Sequence, residues 1–202
     1  MCMKKSIWIF FIVSFLVLVT KPISAQTYTD NKNPWIIGFG LNVIYDSGEG
    51  LNGLFEFKRN YNYHNPYRFS LEKRFARHYG IEVSANFNRL LKDKVINGLV
   101  LDEDIRFVAF DGMAKYYFTN MFLDENRSLF EGYVAGGMSA NYYEDNGVLT
   151  INAATGLNFF ISEEFRITGQ VVAKFTGSGT PFSSNYLQFN LGCIIRLSNS
   201  SY

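Results

Sequence analysis

Apolar and polar residues alternate with period two along most of the chain. The alternation comes in segments of about ten residues, set apart by clusters of Gly, Asn, Asp, Ser and Pro. Trp35, Ile37, Phe39, Leu41, Val43 and Tyr45 form the first apolar row, with Gly38, Gly40 and Asn42 between them. Phe69, Leu71 and Phe75 follow, interleaved with Ser70, Glu72 and Arg74; then Ile81, Val83, Ala85 and Phe87 alternate with Glu82, Ser84, Asn86 and Asn88. The rhythm continues through Val108 to Phe118 against Ala109, Asp111, Met113 and Lys115, and through Val134 to Tyr142 against Ala135, Gly137, Ser139 and Asn141. Ile151 to Ile161 then opposes Asn152, Ala154, Gly156 and Asn158, and Ile167 to Phe175 opposes Arg166, Thr168, Gln170 and Lys174. Leu187 to Leu197 closes the series against Gln188, Asn190, Gly192 and Arg196. No comparable stretch of the chain after residue 25 keeps a helical period, so the pattern predicts an all-β protein of about eight antiparallel strands.

Connection lengths predict an up-and-down order. Residues 77–79 and 162–164 are tight turns, whereas 46–66 and 89–105 are longer and polar. Short turns on one rim and longer loops on the other suit a barrel. Residues 119–129 fall on the short-turn side but match a long loop in length, so either that turn is extended or 119–129 or 46–66 hides further strands.

Alternation leaves two arrangements open. A soluble barrel turns its apolar face inward around a ligand, whereas a transmembrane barrel turns it outward to lipid. Three features favour the second. The polar rows are mostly small residues, which suit the narrow lumen of an eight-stranded barrel. They carry charges of both signs: Glu72, Glu82 and Asp111 against Arg74, Lys115, Arg166, Lys174 and Arg196. A buried charge is tolerated only when paired and hydrogen-bonded, so these eight residues are expected to form a linked network filling the lumen. Finally, aromatics make up 17% of the chain and gather near strand ends (Trp35, Tyr45, Tyr67, Phe75, Tyr116 to Phe118, Tyr142, Tyr143 and Tyr186), where rings with polar tips suit a membrane interface. Lys73 interrupts an apolar row near a strand end, from which it can reach headgroups.

The first 25 residues read differently. Lys4 and Lys5 precede the apolar run Ile7 to Val19, Pro22 breaks it, and small Ala25 lies ahead of Gln26. This is the pattern of an export signal cleaved between Ala25 and Gln26, leaving 26–202 as one barrel domain. The run is shorter than the roughly 20 residues of a membrane-spanning helix. Cleavage removes Lys4, Lys5 and Lys21 but no acid, so the weak positive net charge of +1 belongs to the signal. That balance excludes a basic nucleic-acid binder. Cys2 leaves too, and Cys193, expected to face lipid, has no partner for a disulfide within the chain.

Little in the chain is suited to chemistry. His64 shares the first long loop with Asp46 and Ser47, which would allow a rim enzyme, but their spacing fixes no geometry. His78 lies in a tight turn. Asp102, Glu103 and Asp104 could hold a divalent cation but read first as a solvated loop tip, and Asp145, Asn146 and Gly147 read as hairpin turn chemistry. No catalytic site, cofactor or metal is expected.

Several segments resemble OmpA-like outer-membrane barrels of the Bacteroidetes type: Asn33 to Gly40, Arg68 to Arg74, Asp111 to Tyr116 and Tyr133 to Gly137. The resemblance implies an eight-stranded outer-membrane barrel. It also implies that the last strand carries the signal read by the barrel-assembly machinery, on Asn190, Gly192, Ile195 and Leu197, although the family's terminal aromatic is replaced by a tail ending in Tyr202. The peptidoglycan-binding domain of many relatives has no counterpart in this sequence. The expected role is structural, in envelope integrity or surface contact, with outer-membrane lipid and lipopolysaccharide as surroundings. A narrow pore opened by re-pairing of the lumen charges, or a soluble ligand-holding barrel, are the alternatives.

Overall fold

A computed structural model describes residues 33–48, 54–123, 128–144, 146–177 and 185–197. The export segment, with its Ala25–Gln26 junction, and Asp145 lie outside the described residues. In chain order the elements are β1 (Trp35–Tyr45), a helical turn α1 (Phe57–Asn60), β2 (Tyr61–Asn62), β3 (Tyr67–Arg74), β4 (Tyr79–Leu90), β5 (Val95–Ile96) and β6 (Leu99–Val100). They continue with β7 (Ile105–Tyr116), a 3₁₀ turn (Phe118–Met121), β8 (Phe130–Tyr143), β9 (Asn146–Phe160), β10 (Phe165–Thr176) and β11 (Tyr186–Leu197).

The eight long strands β1, β3, β4, β7, β8, β9, β10 and β11 are the eight that the alternation predicts. Each is antiparallel to its neighbours, and β11 returns to pair with β1 from Trp35↔Leu197 to Tyr45↔Leu187. Closure leaves no sheet edge open. The barrel shuts where two glycines face each other, Gly40↔Gly192. A Cβ on Gly192 would sit 2.3 Å from the Phe39 carbonyl oxygen and 2.7 Å from the Gly40 Cα. The seam therefore holds its backbones closer than any side chain allows.

The 117–129 connection is an extended turn and adds no barrel strand among the described residues. Its 3₁₀ turn buries Thr119 and Asn120 against the end of the barrel. The 46–66 loop adds α1 and the two-residue β2, which pairs only with Ile44 and Tyr45 at the rim. On the long-loop rim, Tyr143 of β8 pairs with Asn146 of β9 and Tyr142 with Gly147, so Asn146 and Gly147 of the expected Asp145-Asn146-Gly147 turn already belong to the strand. Glu144 takes a positive φ of 49° there.

The apolar rows face outward. Phe39, Leu41, Phe69, Ile81, Val83, Phe110, Met138, Ile151, Leu157, Phe175 and Leu191 are all exposed, while the alternate residues are buried in the lumen. This arrangement excludes the soluble barrel with an apolar, ligand-holding interior. Lys73, at the end of β3, donates to the Asn33 carbonyl at 2.7 Å and lies over the Trp35 ring.

Gly192→Val is expected to crowd the seam and destabilise the barrel by about 1–3 kcal/mol, the usual cost of overpacking. Unfolding in detergent micelles, followed by heat-modifiable gel migration, measures this, and a curve matching the parent protein would contradict the close approach.

Candidate functional site

The interior is filled in three levels. Nearest the N-terminal rim, seven charged side chains make one alternating chain of ion pairs. Arg68 Nη2 donates to Glu82 Oε1 at 2.8 Å, and Glu82 Oε2 accepts from Lys115 Nζ at 2.7 Å. Lys115 also reaches Glu72 Oε2 at 2.9 Å, and Glu72 Oε1 accepts from Arg74 Nε at 2.9 Å. Arg74 then grips Glu131 with two parallel bonds of 2.9 and 2.7 Å, and Glu131 Oε2 accepts from Arg166 Nη1 at 3.2 Å. The fork-to-fork geometry of Arg74 and Glu131 is the strongest form such a pair takes.

The strand register makes this chain necessary. Glu72 and Glu82 are direct cross-strand partners, both facing inward, and like charges so placed repel. Lys115, two strands from Glu72, resolves the conflict by bridging both carboxylates. Gly80 makes room beside it, because a Cβ there would lie 2.7 Å from Glu72 Oε1. Tyr117 lies under the Arg74 guanidinium, 3.4 Å from ring centre to Cζ, and donates to Glu72 Oε1 at 2.5 Å. Asn120 of the 3₁₀ turn and Asn158 of β9 both donate to Glu131.

Above this chain lies a belt of amides and hydroxyls around one further ion pair. Lys174 Nζ donates to Asp111 Oδ1 at 2.6 Å, and Asn86 Nδ2 donates to Asp111 Oδ2 at 2.6 Å. Gln188 joins Asn86 to Asn190, which donates to Gln170. Ser139, Asn141, Thr150 and Asn152 bond among themselves.

The third level, at the long-loop rim, is apolar. Ile96 and Leu101 from the 91–104 loop fold into the mouth against Ile44, Leu90, Ile105, Phe107, Val148, Tyr143 and Tyr186. The β5–β6 hairpin that carries them turns at Asn97 and Gly98, both at positive φ. The Asp46 carboxylate holds the turn by accepting from the Asn97 amide at 3.1 Å.

Of the eight charges expected in the lumen, all are buried. Glu72, Arg74, Glu82, Lys115 and Arg166 enter the chain, whereas Asp111 and Lys174 form a separate pair. Arg196 is buried near the N-terminal rim, its amide donating to the Glu164 carbonyl. Sequence reasoning passed over Arg68 and Glu131, although both share the parity of the inward rows and a one- or three-residue extension of those rows would have found them. Of the final-strand positions, Asn190 and Gly192 face inward, while Ile195 and Leu197 face outward.

Four of the expected interface aromatics are buried: Tyr45, Tyr117, Tyr143 and Tyr186. Tyr143 and Tyr186 belong to inward rows, and Tyr117 continues the inward side past the end of β7. Tyr45 points outward but is covered by Tyr61, at a ring separation of 5.1 Å. Trp35, Tyr67, Phe75 and Tyr142 are exposed as expected.

The groups considered for chemistry, His78 apart, are placed on the long-loop side. His64 is exposed, Asp46 is engaged by Asn97, and the Ser47 hydroxyl donates to Tyr45. Asp104 accepts from the Lys92 amide, and no group of three metal-ligating side chains occurs among the described residues. At the β8–β9 turn the Arg106 amide, and then its guanidinium, hold the exposed Glu144 carboxyl below the usual carboxylate range.

The fold matches solved small barrels of outer membranes. The N-terminal β-barrel domain of Pseudomonas aeruginosa OprF is similar over 82% of this chain and 98% of its own, at 11% identity and a TM-score of 0.54. The outer membrane protein OprG of the same organism covers 82% and 96%, at 12% identity and a TM-score of 0.56. Neisserial surface protein A covers 81% and 96%, at 12% identity and a TM-score of 0.54. No family model and no curated protein matches the sequence. The chain is thus a closed, eight-stranded antiparallel barrel with the fold of these proteins.

Replacing Glu131 by Gln removes the carboxylate charge facing both Arg74 and Arg166. The expected cost is about 3–5 kcal/mol, the usual penalty for breaking a buried pair on one side. Chemical unfolding in micelles measures it, and a change below about 1 kcal/mol would remove Glu131 from the chain.

Proposed function

We propose that this protein is an integral outer-membrane barrel with a sealed lumen, serving envelope integrity or surface contact through the loops of its long-loop rim. The observation that carries this reading is the filling of the interior: ion chain, amide belt and apolar stopper succeed one another along the barrel axis. The exposed apolar rows supply the surface that lipid would cover, and the fold likeness to outer-membrane barrels supports that membrane. With the N-terminal rim toward the periplasm, the 46–66 and 91–104 loops face outward, where lipopolysaccharide would surround them.

The reading includes export by residues 1–25, with cleavage between Ala25 and Gln26, and insertion by the barrel-assembly machinery acting on Asn190, Gly192, Ile195 and Leu197. It retains the resemblance to OmpA-like barrels of the Bacteroidetes type. It assigns no catalysis: Asp46 and Ser47 are buried against Asn97 and Tyr45, whereas His64 is exposed. The lumen charges act as a plug, and a gated pore would have to break both the ion chain and the apolar mouth.

Single-channel recording in planar bilayers tests the seal. The protein is expected to leave the membrane at baseline current across the physiological range of voltages. Steady, reproducible conductance steps would replace the plug with the narrow-pore reading.

A further inference from the structure

At the long-loop rim the outward apolar face ends in a row of charge. Arg89 of β4 and Arg106 of β7 are direct cross-strand partners. Both share the outward parity of Phe87 and Val108, the next outward pair below them. Like charges placed opposite each other repel, so this pair favours an anion beside it. Glu144 serves only Arg106: its Oε1 accepts from the Arg106 amide at 2.7 Å, and its Oε2 from the guanidinium at 3.1 and 3.3 Å. Among the described residues Arg89 forms no ion pair. On its other side Arg89 bridges to exposed His64, whose carbonyl accepts from the Arg89 amide at 2.8 Å.

Beneath the two arginines, Phe87, Val108 and Tyr142 are successive cross-strand partners on the outward side. Phe69 and Phe110 extend these rings down the wall. Acyl chains that cover this face end at the level of the arginines, where headgroup phosphates begin. The acids Asp102, Glu103 and Asp104 precede β7 and lie beyond Arg106 from the apolar rows, and Asp104 accepts from the Lys92 amide. A guanidinium meets a phosphate with two parallel charge-assisted bonds, a geometry no ammonium offers. The two side chains leave backbones about 4.8 Å apart, so one phosphate can accept from both. The Arg106–Glu144 pair is exposed, with side chains 74% and 38% accessible, so its attraction is weak and a phosphate can compete for Arg106.

We propose that Arg89 and Arg106 hold a phosphate of an outer-leaflet glycolipid, with His64 flanking the site and Glu144 as the competing internal anion. The proposal rests on the outer-membrane reading, which sets this rim in the outer leaflet, and it names the lipid group that the rim recognises.

Native mass spectrometry of the barrel in micelles, titrated with lipid A or with its dephosphorylated form, tests the site. Lipid A is expected to stay bound and the dephosphorylated form to be lost. Replacing both arginines, Arg89→Gln with Arg106→Gln, should weaken lipid A binding about tenfold or more. Arg77→Gln, at the opposite rim, should leave it unchanged. Glu144→Gln should tighten binding, because it frees Arg106 for the phosphate, an effect that a purely structural role for Glu144 would not produce. Equal retention of the two lipids, parent-like binding by the double variant, or unchanged or weaker binding by Glu144→Gln would each overturn the proposal. Heat-modifiable gel migration checks that each variant is folded, and the comparison of the two lipids on the unaltered barrel stands even where a variant is not. Failure of the parent protein to insert into phosphatidylcholine vesicles would overturn the outer-membrane reading itself, whereas insertion without preference for the phosphorylated lipid overturns only this site.

Discussion

Each carboxylate of the lumen chain is held between two cations, and the rest of the architecture follows from that sharing. An eight-stranded barrel has a narrow interior that its own side chains must fill. Ions placed there lose most of their hydration, and attraction between partners offsets the loss only when geometry and further hydrogen bonds are good. Here the sharing extends from Arg68 through Glu82, Lys115, Glu72, Arg74 and Glu131 to Arg166, reaching across strands β3, β4, β7, β8 and β10. Cross-strand hydrogen bonds fix each neighbouring pair of strands, whereas this chain fixes strands on opposite walls to one another.

The outer surface and the rims are adapted to this interior. Outward rows carry the apolar residues that a soluble fold would bury, so the usual hydrophobic core is reduced to a small cluster at the long-loop mouth. That cluster depends on a loop folding inward, with the Asp46 carboxylate on the Asn97 amide holding it in place. At the other end the 3₁₀ turn brings Asn120 onto Glu131 and Thr119 onto Gly132, tying the rim to the ion chain. The glycine seam between β1 and β11 lets the barrel close tightly around these contents.

The barrel strands were legible in the sequence because period two is imposed by geometry: one face must be apolar for lipid, the other polar and small for the lumen. Burial of all eight expected charges follows from the same parity. Which charges pair was not legible: Asp111 meets Lys174, while Glu72 and Glu82 meet through Lys115, because partner choice depends on distances across the barrel that one-dimensional spacing does not encode. Glu131 and Arg68 lie just beyond the stretches of clear alternation. The inward-folded hairpin was not legible, since β5 and β6 are two residues long and too short for any periodic signal. Tyr45, Tyr117, Tyr143 and Tyr186 show a related limit: a tyrosine near a strand end suits either an interface or a buried hydrogen bond, and only parity and the covering loops decide between them.

Energetic coupling between the two ends of the chain tests this account most directly. Glu82 and Glu131 are linked through Lys115, Glu72 and Arg74. A double-mutant cycle with Glu82→Gln and Glu131→Gln, read by chemical unfolding in micelles, is predicted to give a coupling above about 0.5 kcal/mol, because either change alone redistributes the shared cations. Costs that add within about 0.3–0.5 kcal/mol, as independent sites do, would contradict the claim that these residues act as one interaction.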